Sequence, residues 1–214
     1  MKAELAGRVG LLGGAFDPIH NGHMAIARRS LEQFRLSRIV LIPTGEAPRV
    51  DCKVLSSRED RFNMAQVAAS AEERVSVSRL EIDRPGPSYT IDTLRAIKDD
   101  CPEGICFIVG ADRLSQIESW REPEAILALT PIIAAPRGDV PDRMFDAAPF
   151  DEASVFLLDM PRVDISSTFV RRRVLEGTPI SEWVPAPVAE YIEEHGLYRE
   201  QEGEGPVEGG RDTE

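Results

Sequence analysis

A chain of 214 residues with a formal charge of −12 is long enough to bury a full core. It has no run near the roughly 20 apolar residues that cross a bilayer, and its acidity excludes a general affinity for nucleic acid backbones. Met1 to Gly7 lacks the apolar stretch of a signal peptide, and Cys52, Cys101 and Cys106 form no CxxC. The expectation is a cytoplasmic protein with reduced thiols and no zinc site.

Arg8 to Leu12 is a short apolar run ended by Gly13, as for a strand buried on both faces of a parallel sheet. Next comes Gly13-Gly14-Ala15-Phe16-Asp17-Pro18-Ile19-His20-Asn21-Gly22-His23, behind which Met24, Ala27, Leu31 and Phe34 recur at helical spacing. Glycines that admit an anion close to the backbone, an X-Pro turn and the free N–H groups of a helix start together make a nucleotide phosphate site. His20 and His23 are two of only three histidines. An imidazole placed here can donate to a phosphoryl oxygen and offset charge that grows during phosphoryl transfer. The plainer roles, helix cap and core filler, stand beside that one. His195, before Gly196, needs only the dipole of a helix C-terminus.

Arg38 to Ile42, ended by Pro43, repeats the buried-strand pattern and completes a βαβ unit. Ser57 with Asp60 opens a helix carrying Phe62, Met64, Val67 and Ala68, and Val75 to Ile82 reads as a third extended segment. Thr90, read locally as a cap, starts a helix with Ile91, Leu94 and Ile97 inward; Ile105 to Val109 is a fourth strand, ending at Gly110. A helix with Pro123 in its first turn leads to strands Ile132 to Ala135 and Val155 to Leu158, then to closing helices Ser167 to Glu176 and Pro187 to His195. This alternation predicts an α/β fold, a Rossmann-like open parallel sheet with helices on both faces. Ligands then sit at the carboxyl ends of the strands, where the glycine turn, Pro43 to Lys53, Gly110-Ala111-Asp112 and Asp164 to Thr168 should converge. No glycine completes a GxGxxG, which disfavours hydride transfer. Glu200 to Glu214, six acids against one Arg, reads as a disordered acidic tail beyond a domain of residues 1–199.

Ile165-Ser166-Ser167-Thr168-Phe169-Val170-Arg171 is the second constellation. At a helix start, hydroxyls, free N–H groups and an Arg one turn on suit the oxygens of a polyphosphate, although the same residues also make a plain N-cap with a solvated Arg cluster. Together the HxGH turn and the ISSTxxR helix start mark a nucleotidyltransferase superfamily. Within it, Pro43-Thr44-Gly45, Glu59-Asp60-Arg61, Gly86 to Leu94, Gly110-Ala111-Asp112, Trp120, Tyr191 and Leu197-Tyr198 make the chain similar to the bacterial nicotinate-nucleotide adenylyltransferases, nearly to Arg199.

The resemblance implies transfer of AMP from ATP to nicotinate mononucleotide with release of pyrophosphate, a step in NAD biosynthesis. It further implies direct attack without a covalent intermediate, and Mg²⁺ that arrives with ATP rather than in a protein metal site. It assigns His20, His23 and Arg171 to catalysis. Gly13, Gly14, Ala15, Phe16, Gly110, Asp112, Ser166 and Ser167 join them around ATP, and Asp17, Thr44, Lys53, Tyr89, Thr90 and Trp120 surround the nicotinate nucleotide. Ala15 stands where the family usually has Thr, and Arg49 or Lys53 replaces a family Lys after Pro-x-Gly. The partners expected are the two small substrates, with neither nucleic acid nor membrane; self-association stays open. So do three alternatives: another superfamily acceptor such as phosphopantetheine, the amide nicotinamide mononucleotide, and a nucleotide-binding regulatory module without turnover.

Overall fold

The computed structural model describes residues 5–47, 55–162 and 164–199; Arg49, Cys52, Lys53 and the acidic tail lie outside them. Six strands, β1 (Val9–Gly14), β2 (Arg38–Pro43), β3 (Val75–Val77), β4 (Ile105–Gly110), β5 (Ile132–Ala135) and β6 (Val155–Leu157), form one parallel sheet in the order β3-β2-β1-β4-β5-β6. The winding reverses between β1 and β4. At such a switch point the connections on either side leave in opposite directions and open a crevice at the carboxyl edge.

The helices are α1 (Asn21–Phe34), α2 (Arg58–Ala69), α3 (Leu80–Asp83), α4 (Thr90–Lys98), α5 (Ala111–Leu114), α6 (Pro123–Leu129), α7 (Ser167–Leu175) and α8 (Ala186–Glu194). The period-two alternation of strand side chains divides the core into two layers. From β4, Cys106 and Ile108 join Met24, Leu31, Met64, Val170 and Val188 on one face, while Ile105, Phe107 and Val109 join Ile91, Leu94, Ile117 and Ile126 on the other. Both faces of the sheet are therefore covered, which is why its strands read as continuous apolar runs.

Most sequence-based boundaries agree with the structure to within a residue or two. Ser57 caps α2 through its hydroxyl, which accepts the Asp60 N–H at 3.1 Å. One expectation fails in part: Val75 to Ile82 is extended only to Val77, and Leu80–Asp83 turns into α3. The Ser78 hydroxyl accepts the Leu80 N–H at 3.2 Å, and Arg79 bridges Glu59 and Asp83, so local polar groups close a helical turn where apolar spacing alone suggested a strand. Thr90 is the first helical residue of α4, and the cap position belongs to Tyr89. At the β6 edge the Gln33 side-chain amide donates to Leu157 O at 2.9 Å and accepts from Asp159 N at 2.8 Å. That contact covers backbone groups an edge strand otherwise exposes to pairing.

Candidate active site

The chain leaves β1 through Gly14, passes Phe16 with φ +50° and a cis Asp17–Pro18 peptide, and enters α1 with His20 at the N-cap. A phenylalanine in the left-handed region is strained by about 1 kcal/mol or more; here the ring is 1% exposed, and its burial offsets that cost. The ring also meets the edge of His23, with centroids 5.0 Å apart. The two imidazoles stack at 3.7 Å and 20°. His23 Nδ1 accepts the His20 backbone N–H at 3.2 Å, so the neutral His23 ring carries its proton on Nε2. His20 is 3% exposed, and neither of its ring nitrogens has a partner among the described residues. Two buried polar atoms left bare on one ring are costly unless something else binds there.

Burial, and after it the Arg137 guanidinium, lowers the His20 imidazole from 6.5 to about 3. Burial, the adjacent His20 and Arg137 hold His23 well below its usual value. Both rings are therefore neutral donors at neutral pH. The unfolded chain protonates these groups as pH falls through about 6.5, whereas folded His20 resists until about 3. In that window the unfolded state binds more protons, so stability falls with falling pH. Urea unfolding at pH 7 and pH 5 is expected to show a smaller drop for His20→Ala than for the parent; an equal drop would contradict the buried neutral ring.

Three of the four predicted loops meet at this turn. The Arg171 guanidinium donates to Asp17 O at 2.6 Å and to Thr168 Oγ1 at 3.2 Å, and lies 3.7 Å from the Asp17 carboxylate. The Ser167 hydroxyl donates to Pro18 O at 2.9 Å, while Ser166 caps α7 by accepting the Phe169 N–H at 3.2 Å. Arg61, 2% exposed, spans two loops by donating to Ala15 O at 2.9 Å and Gly45 O at 3.0 Å. The Asp17 carboxylate, also buried, accepts from Leu55 N at 2.8 Å, Ser56 N at 3.3 Å and the Tyr198 hydroxyl at 2.8 Å. Its oxygens are taken up by the chain's own donors, behind the turn.

Beside Gly13 and Gly14 opens a cleft of about 180 Å³ with an apolar wall that includes Phe107 and Trp120, and a polar side of Thr44, Ser88 and Thr90. Trp120 packs edge-on to Phe107 with centroids 6.2 Å apart. Tyr89 is not part of this lining; its ring lies under the Arg121 guanidinium at 4.7 Å. Gly45 is required for the wall, because a Cβ there would fall on the Glu81 carbonyl oxygen.

The fourth loop enters through a residue the sequence reading passed over. Arg137, just after β5, pairs with Asp112 Oδ2 at 3.5 Å, packs over Gly110 and projects its charge onto both histidines. Its position at the carboxyl end of a strand was the available signal. Asp112 Oδ1 is buried without a partner among the described residues. The sequence-predicted site residues thus fall into a phosphate turn, a neighbouring flat-walled cleft and a Gly110–Asp112 rim. Asp17 and Tyr89 are set back from the cleft, and Lys53 lies outside the described residues.

A switch-point crevice holding paired neutral imidazoles, a helix start and an Arg-bearing second helix start defines a nucleotidyltransferase, and the cytidylyltransferase-like family model matches residues 11–173. Roseiflexus sp. strain RS-1 has a relative named "Probable nicotinate-nucleotide adenylyltransferase", 44% identical over 89% of this chain and 98% of that one. The protein of the same name from Thermus thermophilus is 41% identical over 90% and 100%. The chain belongs to the nicotinate-nucleotide adenylyltransferase family. Its fold matches the Plasmodium falciparum nicotinic acid mononucleotide adenylyltransferase solved with NaAD, with a TM-score of 0.75 at 21% identity over 90% of this chain and 97% of that one. Among the described residues no helix is long and apolar enough to cross a membrane.

Proposed function

We propose that this enzyme transfers the adenylyl group of ATP to nicotinate mononucleotide, giving nicotinate adenine dinucleotide and pyrophosphate in NAD biosynthesis. ATP lies with its phosphates over the Gly13 to His23 turn and its adenosine end toward Gly110 and Asp112. The pyridine nucleotide occupies the cleft, its ring against Trp120, its phosphate aimed back at the turn. An oxygen of that phosphate attacks the α-phosphorus in line, the bond to the bridging oxygen breaks, and pyrophosphate leaves. The observation that carries this reading is the buried His20 ring, its two nitrogens unpartnered among the described residues, stacked on His23 at a helix start.

The protein's work is positioning and charge stabilisation. His23 Nε2–H and the His20 ring donate to phosphoryl oxygens in a site shielded from water, where such donors act strongly. Ser166, Ser167 and Arg171 extend the cradle from α7. Members of the family use a divalent metal with ATP; we assign Mg²⁺, a hard cation that would be carried in by the nucleotide's phosphates. Arg137 supplies a further positive charge near the turn.

Pyrophosphate release measured with ATP, Mg²⁺ and, side by side, nicotinate mononucleotide, its amide and phosphopantetheine tests the assignment. The expected order places the nicotinate nucleotide first. Tight ATP binding without turnover of any acceptor would replace the enzyme by a nucleotide-binding regulatory module.

A further inference from the structure

Arg61 lies buried in the first turn of α2, the helix whose start is fixed by the Ser57 cap. Its guanidinium divides its terminal nitrogens between two segments: Nη1 donates to Ala15 O at 2.9 Å, inside the phosphate turn, and Nη2 to Gly45 O at 3.0 Å, in the loop after β2. The same segments are joined one residue earlier, where the Thr44 N–H donates to Gly14 O at 2.9 Å. Ala15 precedes the Phe16 ring that meets His23, whereas Gly45 follows Thr44 on the polar side of the cleft. That loop is fixed in turn to the rest of the cleft. A Cβ on Gly45 would fall on the Glu81 carbonyl oxygen, and Glu46 O accepts the Ser88 N–H at 2.8 Å. A guanidinium is costly to bury. This one joins the seat of the donor phosphates to the wall of the acceptor cleft, yet is not part of the cleft lining.

Resting on the functional reading above, we propose that Arg61 is a positioning residue of the transfer: it sets the separation between the ATP turn and the acceptor cleft, so that the acceptor phosphate meets the α-phosphorus in line. A planar guanidinium carries its donors at a fixed spacing, and the two carbonyls bound to Nη1 and Nη2 are held at a matching one. A lysine ammonium brings the same charge on a flexible stem, without that template. In-line displacement is sensitive to such spacing, since a misplacement of about 1 Å can cost about 10²-fold in rate. ATP bound alone uses one side of the joint only, and its affinity is indifferent to the spacing.

Arg61→Lys is compared with the parent in kcat for pyrophosphate release and in the Kd of ATP with Mg²⁺, measured by calorimetry without acceptor. The expected result is a fall of about 10²-fold in kcat with that Kd unchanged to within about twofold. The calorimetric stoichiometry counts the folded fraction, so partial unfolding cannot imitate the loss of kcat. Gly45→Ala disturbs the same joint from the opposite side with Arg61 intact, by driving the loop off Glu81, and is expected to show the same pattern. It decides the matter if Arg61→Lys does not fold. A folded Arg61→Lys with the parent's kcat overturns the proposal, as does full kcat in Gly45→Ala. A parallel loss of ATP affinity in Arg61→Lys also overturns it, by making Arg61 a charge that serves phosphate binding. Loss of the fold in both variants does the same, since the joint would then serve the fold alone. Failure of the parent to adenylate any acceptor would instead remove the functional reading, a result seen before either variant is assayed.

Discussion

His23→Ala lowers kcat for pyrophosphate release by about 10²-fold or more, the range seen when one preorganised donor to a developing negative charge is removed. Because His23 Nδ1 accepts the His20 N–H, the ring's proton sits on Nε2, and burial keeps the ring neutral. A neutral donor held in a fixed place needs no reorganisation as charge builds on the phosphoryl oxygens. The same Nδ1 also caps α1, and a lost cap costs about 1 kcal/mol of stability. The two effects separate with His23→Gln, since Gln at this helix position can reach back to the cap N–H. That variant should recover thermal stability while kcat stays low. Recovery of kcat along with stability would leave His23 a structural residue only.

Asp17→Ala is expected to destabilise the protein by roughly 3–5 kcal/mol, the scale of breaking a buried pair and stranding its partners. For a chain of this size that corresponds to a fall of roughly 6–20 °C in Tm. One carboxylate binds four groups from three other segments: Leu55 and Ser56 N–H after β2, the Tyr198 hydroxyl at the end of the fold, and the Arg171 guanidinium on α7. Removing it leaves the Arg171 charge, with a side chain only 14% exposed, without its counterion. Tyr198→Phe removes one of those bonds and should cost about 1 kcal/mol. Differential scanning calorimetry of both variants tests the arrangement. Similar small losses for both would show that the carboxylate is not the shared anchor. A raised KM for the pyridine nucleotide at unchanged Tm would instead place Asp17 against that substrate, as the family resemblance implied.

The motifs of the site were legible because each is local. A glycine turn followed by histidines, or a Ser-Ser-Thr start followed by Arg171 one turn on, uses neighbours in sequence whose spacing fixes their geometry. The strands were legible for a related reason: cover on both faces makes each one an uninterrupted apolar run. Residues acting across the fold left no such trace. Arg61 sits among charged neighbours in the first turn of α2, with no local sign of burial, yet it is buried between the Ala15 and Gly45 carbonyls. Arg137 belongs to no motif, marked only by its place just after a strand, and reaches the histidines because β5 lies beside β4, two strands from β1.

Periodicity and short-range spacing are properties of the chain alone, and they sufficed for the class of fold, the two anion-binding helix starts and the family. Which charges stay free was settled only in the folded arrangement. Asp17, Glu81 and Arg61 are consumed by internal partners, whereas the His20 ring nitrogens, the Arg113 guanidinium and one oxygen of Asp112 are left without any among the described residues. The physical reason is that a side chain's availability depends on what distant segments bring within about 3 Å of it, and pairing at that range is set by the order of strands in the sheet rather than by the order of residues in the chain.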